Sequence, residues 1–331
     1  MIIIASSEED ISTNKVIDWL AHTYEVDYRR INGLEWFGYQ TKTSFRFNKN
    51  QVQANYSDSN KRFSIEEVTS IWFRKDTYAI FSKEVGRGQE IDAQVNNHLK
   101  EEHYYAKEGF YELLKKQAKQ VIGHRIISEP EKINNLLIAK SIGIDIPDTL
   151  VTTNKADLLE FFKENNGAIT KPIKESRRIS DGESAATMYV ANIDQTALEE
   201  IPDSFMVSLF QERLDIAFDI RVFYLDGQFY PIAIFTPKGS ERVDVRDTSS
   251  KDRAFRETKY KLSEALENQL RQFMDELDLV SGSLDLIHTK DGRTVFLEVN
   301  PWGQYGNVSR SGNYFINQKI AQYLVYGSER T

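Results

Sequence analysis

The sequence has no cysteine, which excludes a disulfide framework, a thiolate nucleophile and a zinc site built on cysteine. It also lacks any uninterrupted run of about 18 apolar residues, the length that a membrane-spanning helix needs. The first residues, Met1–Ser6, carry no basic stretch and lead directly into acidic residues, so we interpret them as a buried strand rather than a signal peptide. These absences favour a cytoplasmic protein with no membrane partner.

The sequence also has fewer basic than acidic residues. The formal net charge is −8, which argues against a nucleic-acid partner, because such proteins usually present a basic surface. Apolar residues make up 40% and charged residues 28% of the chain, the balance of a folded soluble protein. A length of 331 residues suggests two or three subdomains rather than one core.

Hydrophobic periodicity predicts an α/β region followed by a more mixed one. The first region contains a strand at 2–5, a helix at 12–21, a hairpin at 45–56, a strand at 71–74 and a helix at 90–119. The middle contains a helix at 131–142, a strand at 149–152, a helix at 155–165 and a strand at 167–171. The last contains strands at 205–212, 219–224 and 228–235, a helix at 262–277, a hairpin at 282–299 and a helix at 314–326. Seams near 126 and 205 divide the chain into 1–125, 126–204 and 205–331.

The last hairpin carries the sharpest chemical signal. Side chains alternate along a strand, so Glu298 and Asn300 project to one side, and the partner strand can bring Asp285 beside them. Two carboxylates and an amide oxygen are hard ligands that suit Mg²⁺. The alternative is that these are ordinary outward-facing polar residues. Because the residues between them are strongly apolar, the polar face is the exceptional one and favours a metal site.

Two lysines occupy positions that suit phosphate binding. Lys132 opens the helix at 131–142, and Lys171 ends the strand at 167–171, where Pro172 follows it. A lysine fixed at a strand end can present its ammonium group to a phosphate as a point charge. A solvated surface lysine is the alternative for both.

The segment Phe210–Leu214 leaves an apolar strand and can offer a backbone donor and acceptor to an adenine edge. Gln211 and Glu212 lie in it, and we expect Glu212 to reach the adenine ring or the ribose. Further on, Asp219 and Arg221 share a strand face. Arg221 can clamp a phosphate or carboxylate with Asp219 holding it in place, or the two can form an ordinary ion pair.

Taken in order, these residues resemble the ATP-grasp superfamily. The resemblance implies an α/β and α+β fold, in which an N-terminal pre-ATP-grasp domain precedes two α+β lobes that enclose ATP. It implies that ATP and Mg²⁺ are used, and that phosphate, adenosine and metal contacts come from Lys132, Lys171, Gln211, Glu212, Asp219, Asp285, Glu298 and Asn300. Lys171 and Arg221 would share the charge of the transferred phosphate.

Within that superfamily the chain looks most like the graspetide enzymes, the microviridin-type ligases and "grasp-with-spasm" maturases. The likeness lies in Trp72–Lys75, Asn134–Ala139, Ile146–Thr149, Ile169–Pro172 and Asp219–Val222. Those enzymes phosphorylate an Asp or Glu side chain of a precursor peptide, and a Thr, Ser or Lys side chain then attacks to close an ester or amide. One departure is the loop 173–186, which has a single glycine where many relatives have a glycine-rich lid.

The resemblance implies a precursor peptide with a leader and an acidic, Thr-rich core. Arg246, in a predicted polar loop over 236–259 with Arg253 and Arg256, is the first candidate to orient the acceptor carboxylate; a charged surface loop is the alternative. The helix at 90–119 with the strand at 72–75 is the candidate leader surface, and a packed scaffold or a homodimer interface is the alternative.

Two other functions stay open at this point. One is a ligase for amino acids or protein tails, similar to glutathione synthetase or to the enzymes that add glutamate to a ribosomal protein. The other is a nucleotide-binding regulatory protein, which the combination of Asp285, Glu298 and Asn300 disfavours because a binding module does not need three metal ligands.

Overall fold

A computed structural model describes residues 1–33, 35–37, 41–59, 62–75, 89–123, 131–174, 178–180, 185–187, 190–236 and 255–328. The chain forms two compact units, Met1–Arg125 with Phe315–Thr331, and Ile126–Tyr314. The closing segment thus groups with the first unit, and the three-part division expected from sequence stays a prediction. Within the described ranges, no helix is both long and apolar enough to cross a membrane.

The first unit is built on a parallel sheet. Its elements are β1 (Ile2–Ser6), α1 (Ile11–His22), β2 (Tyr28–Asn32), β3 (Lys42–Phe47), β4 (Val52–Ser57), β5 (Arg62–Ser64), β6 (Ser70–Phe73), α2 (Gln89–Gln117) and β7 (Gln120–Ile122). The parallel strands lie in the order β2-β1-β6-β7, and β3, β4 and β5 form a separate antiparallel sheet. Every residue of β1 and β6 is buried, which is why both strands are almost wholly apolar in sequence.

A buried ion cluster joins the ends of β1 and β6. Asp10 caps α1 by accepting hydrogen bonds from the Thr13 amide and from the hydroxyls of Ser12 and Thr13. Its carboxylate also lies 3.3 Å from the Arg74 guanidinium and 3.3 Å from the Lys75 ammonium. Burial by itself would raise the pKa of Asp10, but the charge of Arg74, these hydrogen bonds and the charge of Lys75 outweigh it and lower the pKa to about 2.

We expect Asp10→Asn to destabilise the protein at neutral pH by about 2.5 kcal/mol, since lowering the pKa from 3.8 to about 2 corresponds to that free energy. Because the folded-state pKa is depressed, this contribution is present above about pH 4 and is lost as pH falls towards 2. Urea unfolding at pH 7 and pH 2.5 measures it. Asp18→Asn, an exposed site on the same helix, is the control, and equal losses in both variants would contradict the prediction.

The second unit contains two larger antiparallel sheets and a short hairpin. Its helices are α3 (Lys132–Ile142), α4 (Lys155–Glu164), α5 (Gln195–Glu200), α6 (Glu264–Glu276) and α7 (Gly306–Ser311). Its strands are β8 (Thr149–Asn154), β9 (Ala168–Lys171), β10 (Arg178–Ser180), β11 (Ala185–Thr187), β12 (Ala191–Ile193), β13 (Ser204–Glu212), β14 (Ile216–Leu225), β15 (Gln228–Phe235), β16 (Arg256–Lys259), β17 (Ser281–Thr289) and β18 (Thr294–Asn300). The sheets have the orders β12-β9-β13-β8, here the central sheet, and β16-β15-β14-β17-β18, here the five-stranded sheet.

Each of these sheets buries one face under helices. In the central sheet, Phe210 packs with Leu158 of α4 and Leu198 of α5. In the five-stranded sheet, Ile220, Val222 and Tyr224 point into a core with residues of α3 and α6, among them Leu136, Ala139, Leu270 and Phe273. The opposite face of the five-stranded sheet therefore carries the other set of alternating side chains, Asp219 and Arg221 among them.

The structure differs from the sequence prediction in several places. The closing helix predicted at 314–326 is α8 (Ile316–Tyr326), which begins after Phe315 in a left-handed conformation, and the short helix α7 before it was not predicted. The strand expected to open the C-terminal lobe, β13, pairs with β8 and β9 instead. Part of the predicted loop over 236–259 is strand β16. Trp72 and Arg74 are buried, so the strand at 72–75 is not available as a leader surface.

Candidate functional site

A row of facing residues crosses the five-stranded sheet and contains two of the predicted metal ligands. Arg221 faces Asp285, and Asp285 faces Glu298. One pair along, Ser283 faces Asn300. Directly opposed residues of antiparallel strands project to the same face, as do residues two apart on one strand. The register therefore brings Asp285, Glu298 and Asn300 together on the face opposite the helices.

A bulge in β18 turns Glu298 towards this face. Leu286 faces Phe296 whereas Asp285 faces Glu298, so Leu297 is an extra residue without a partner on β17. Phe296 and Val299 are both buried in the same core, although residues three apart on a regular strand would point to opposite faces. Without the bulge, Glu298 would share a face with Phe296 and be directed into that core.

Two nitrogen atoms of the Arg221 guanidinium bind the two carboxylate oxygens of Asp285. Nε donates to Oδ1 at 2.7 Å and an Nη donates to Oδ2 at 3.0 Å, and both side chains are half-buried. We expected Asp219 to hold Arg221; the structure adds Asp285 as a carboxylate partner that the sequence analysis missed. Asp219 lies on the same face, opposite Ile287 and Ile234. A bidentate pair of this kind fixes the guanidinium plane as well as its position.

The donor set fits a hard divalent cation. Asn300 Oδ1 accepts the Trp302 amide at 3.0 Å, which fixes the side chain at the strand end and leaves its second lone pair for a ligand. Carboxylate and amide oxygens of this number are typical of Mg²⁺, which takes its remaining ligands from phosphates and water. In the described part of the chain, no group of three or more Asp, Glu or His side chains could hold a metal by itself. A bound ion at this site would therefore depend on the amide and on substrate oxygens.

The central sheet places Lys171 and Gln211, a predicted phosphate residue and a predicted adenine residue, on one of its faces. Lys171 faces Leu209, Ile169 faces Gln211, and Gln211 faces Thr149, so all five side chains project to the side opposite α4 and α5. Lys132 joins them from α3, since its ammonium group donates to the carbonyls of Pro172 at 3.0 Å and Lys174 at 3.3 Å. Both lysines are thus brought to the end of β9, and their contact with phosphate stays a prediction.

Gln211 and Glu212 have different surroundings. Gln211 is buried and donates from Nε2 to the Thr149 hydroxyl at 2.9 Å. The Glu212 carboxylate accepts two hydrogen bonds from the Arg293 guanidinium, at 3.2 and 3.1 Å, and one from the Asp148 amide at 3.2 Å. The sequence analysis missed Arg293, which follows the Asp291-Gly292 turn of the hairpin predicted at 282–299. In this structure Glu212 is bound by protein groups, and the adenosine contact expected of it stays a prediction.

Arg246, the first candidate for orienting the acceptor carboxylate, and Arg253 lie outside the described residues. The third arginine of that loop, Arg256, faces Phe235 on β15, and Phe235 is two residues beyond Ala233, which faces Ile220. Arg256 therefore projects to the helix-covered face, opposite that of Arg221 and Glu298. The attraction of an acidic peptide to these arginines stays a prediction. The described parts of the predicted lid, β10 and β11, pair with each other.

Known structures resemble the whole chain. A RiPP-associated ATP-grasp ligase from Chryseobacterium gregarium, in complex with ADP and a leader and core peptide, matches with a TM-score of 0.82 at 20% identity over 99% of this chain and 97% of its own. The macrocyclase MdnC from Microcystis aeruginosa MRC, bound with precursor peptide MdnA, matches at 0.78 and 22% over 99% of both chains. The ligase PsnB, with a phosphomimetic minimal precursor, Mg and ADP, matches at 0.76 and 15% over 98% of both.

No family model matches the sequence, and no curated protein matches it. At these identities, the structural likeness establishes the fold. The chain has the ATP-grasp fold, and the fold expected from the order of the sequence motifs is confirmed.

Proposed function

We propose that this protein is an ATP- and Mg²⁺-dependent carboxylate ligase that acts on a ribosomally made precursor peptide. It phosphorylates Asp or Glu side chains and closes intramolecular ester or amide bonds to Thr, Ser or Lys. The observation that carries this proposal is the row Arg221, Asp285 and Glu298, with Asn300 beside it, on one face of an ATP-grasp fold. A carboxylate is a poor acyl donor until its oxygen becomes part of a better leaving group, and phosphate is one.

The reaction has two balanced steps. A substrate carboxylate oxygen attacks the γ-phosphorus of ATP, which gives an acyl phosphate and ADP. A hydroxyl or amine of the same peptide then attacks the acyl carbon, loses its proton and expels phosphate. The protein contributes alignment and charge neutralisation rather than covalent chemistry.

The charged side chains divide this work. Lys171 and Arg221 stabilise negative charge on the transferred group, and Asp285 keeps the Arg221 guanidinium in one orientation. Asp285, Glu298 and Asn300 would hold Mg²⁺, which when bound neutralises phosphate oxygens. Lys132 adds positive charge at the end of β9, close to the segment that follows Lys171.

The peptide substrate is supported by the likeness over the full chain. The three structures above cover nearly all of this chain and are covered nearly completely by it, including the first unit. All three contain a precursor, leader or core peptide. A ligase that acts on free amino acids would share the ATP and metal chemistry but not the peptide.

Mass spectrometry tests the proposal. Short peptides encoded beside this chain and rich in Thr, Asp and Glu are incubated with the enzyme, ATP and Mg²⁺. We expect the peptide to lose one water for each crosslink, with one ATP consumed for each, and no loss without ATP. Addition of a free amino acid to the peptide would instead identify the second kind of ligase. ATP consumption independent of any peptide or amino acid would contradict ligation.

A further inference from the structure

The connection between the two large sheets is held by a turn elsewhere in the chain. We call residues 213–215, between β13 and β14, the connector, and residues 290–293, between β17 and β18, the clasp turn. The clasp turn binds both ends of the connector. Arg293 pairs with Glu212 just before it, and the amide of Lys290 donates to the Asp215 carbonyl at 2.9 Å.

The Arg293–Glu212 pair is the stronger of the two attachments. Glu212 is only 15% exposed, whereas the side chains of Lys290 and Asp215, which also form an ion pair, are 64% and 72% exposed. An exposed single pair contributes little, but a bidentate arginine–carboxylate pair at a partly buried site fixes two groups in one geometry. The hydrogen bonds that Arg293 donates to Glu212 raise the pKa of Arg293 further above its ordinary value, so the charge is permanent.

The same carboxylate also organises the segment that enters β8. Glu212 accepts the Asp148 amide at 3.2 Å, and its own amide donates to the Asp148 carbonyl at 3.0 Å. Nearby, the Phe296 amide of β18 donates to the Asp145 carbonyl at 2.8 Å. Hydrogen bonds therefore join three segments that are distant in sequence, those around 145–148, 212–215 and 290–296, and the Glu212 carboxylate contacts the first and the last of them.

The Glu212 side chain does not share a strand face with the predicted nucleotide-binding residues Lys171 and Gln211. Gln211 projects to the face that carries Lys171, and the neighbouring Glu212 projects to the opposite one. We propose that Arg293 and Glu212 are positioning residues, which fix the connector so that its backbone can receive the adenine edge of ATP. This inference rests on the proposed function, because it assigns the connector to ATP.

The proposal separates nucleotide binding from chemistry. If the pair fixes only the connector, its loss weakens binding of ATP while Lys171, Arg221, Asp285 and Glu298 keep their places. We expect Arg293→Gln to raise the KM for ATP about tenfold, equivalent to about 1.4 kcal/mol, and to change kcat by less than about threefold. Glu212→Gln should do the same. Arg293→Lys, which keeps the charge without the fork, should fall between wild type and Arg293→Gln.

A double variant provides the decisive measurement. Because the two residues act through each other, Glu212→Gln with Arg293→Gln should raise the KM about tenfold, not the hundredfold expected of independent sites. Arg271→Gln, which removes an arginine of α6 that donates to the Gly227 carbonyl, is the control and should leave the KM unchanged. A KM for ATP within twofold of wild type for Arg293→Gln would overturn the proposal. A KM for the double variant raised about a hundredfold, as expected of independent sites, would overturn it as well.

Failure of the proposed function gives a different result. If the wild-type protein consumes no ATP with any peptide tested, the ligase assignment is wrong. Wild type, Arg293→Gln, Glu212→Gln and the double variant are then compared by the urea midpoint of unfolding. If the shifts of the urea midpoint are not additive, Arg293 and Glu212 act as a pair that stabilises the fold. If the shifts are additive, the two residues do not act as a pair at all.

Discussion

Glu298→Gln is expected to lower ATP consumption and peptide crosslinking by about 1,000-fold or more while leaving the protein folded. The substitution keeps the size of the side chain and removes one of the two carboxylates among the predicted metal ligands of the five-stranded sheet. Charge stabilisation by a bound metal is worth several kcal/mol, and each 1.4 kcal/mol is about tenfold in rate. The variant should also need much more Mg²⁺ to reach its residual rate.

ADP release in the presence of the peptide, measured over a range of Mg²⁺ concentrations, checks this prediction. Glu276→Gln is the matched control, since it is the same chemical change at an exposed position on α6, and it should leave the rate unchanged. Thermal unfolding of both variants should coincide with that of wild type. Wild-type ATP consumption by Glu298→Gln would remove Glu298 from the metal site.

Much of the secondary structure could be predicted because local signals specify it. Asp226-Gly227, between the strands predicted at 219–224 and 228–235, is a typical hairpin-turn dipeptide, and both residues have positive φ, 46° and 83°. Gly143 directly follows the helix predicted at 131–142 and has a φ of 85°, as a glycine that ends a helix commonly does. Strand β16 was not predicted, because all four of its residues are polar, as in a loop, and within the described ranges it pairs only with β15, at the sheet edge.

The site was predictable in composition but not in detail. The order of the polar residues pointed to Asp285, Glu298 and Asn300, which the register does bring to one face. The bulge at Leu297 was invisible, since nothing in the local pattern reveals that two residues of one strand oppose one residue of another. The pairs Arg221–Asp285 and Arg293–Glu212 join residues 64 and 81 positions apart. Such contacts depend on sheet register, which sequence periodicity alone does not give.

The geometry around Arg221 leads to the second prediction. Arg221→Lys should lower kcat by about 100-fold or more, although it preserves the charge. A lysine ammonium group cannot make two parallel hydrogen bonds to Asp285, so the cation loses the orientation that the bidentate pair gives it. Loss of one preorganised donor at a reacting centre commonly costs about 100-fold to 1,000-fold in rate.

Single-turnover measurement of crosslink formation within the peptide, with ATP saturating, separates this loss from weaker binding. Arg310→Lys, an exposed arginine on α7, is the control. If Arg221→Lys lowered affinity for the peptide without slowing turnover at saturation, Arg221 would be a binding residue for the peptide and not a group that stabilises transferred charge. A rate near that of wild type would instead show that charge alone is needed there. The bidentate pair with Asp285 would then serve the sheet and not the reaction.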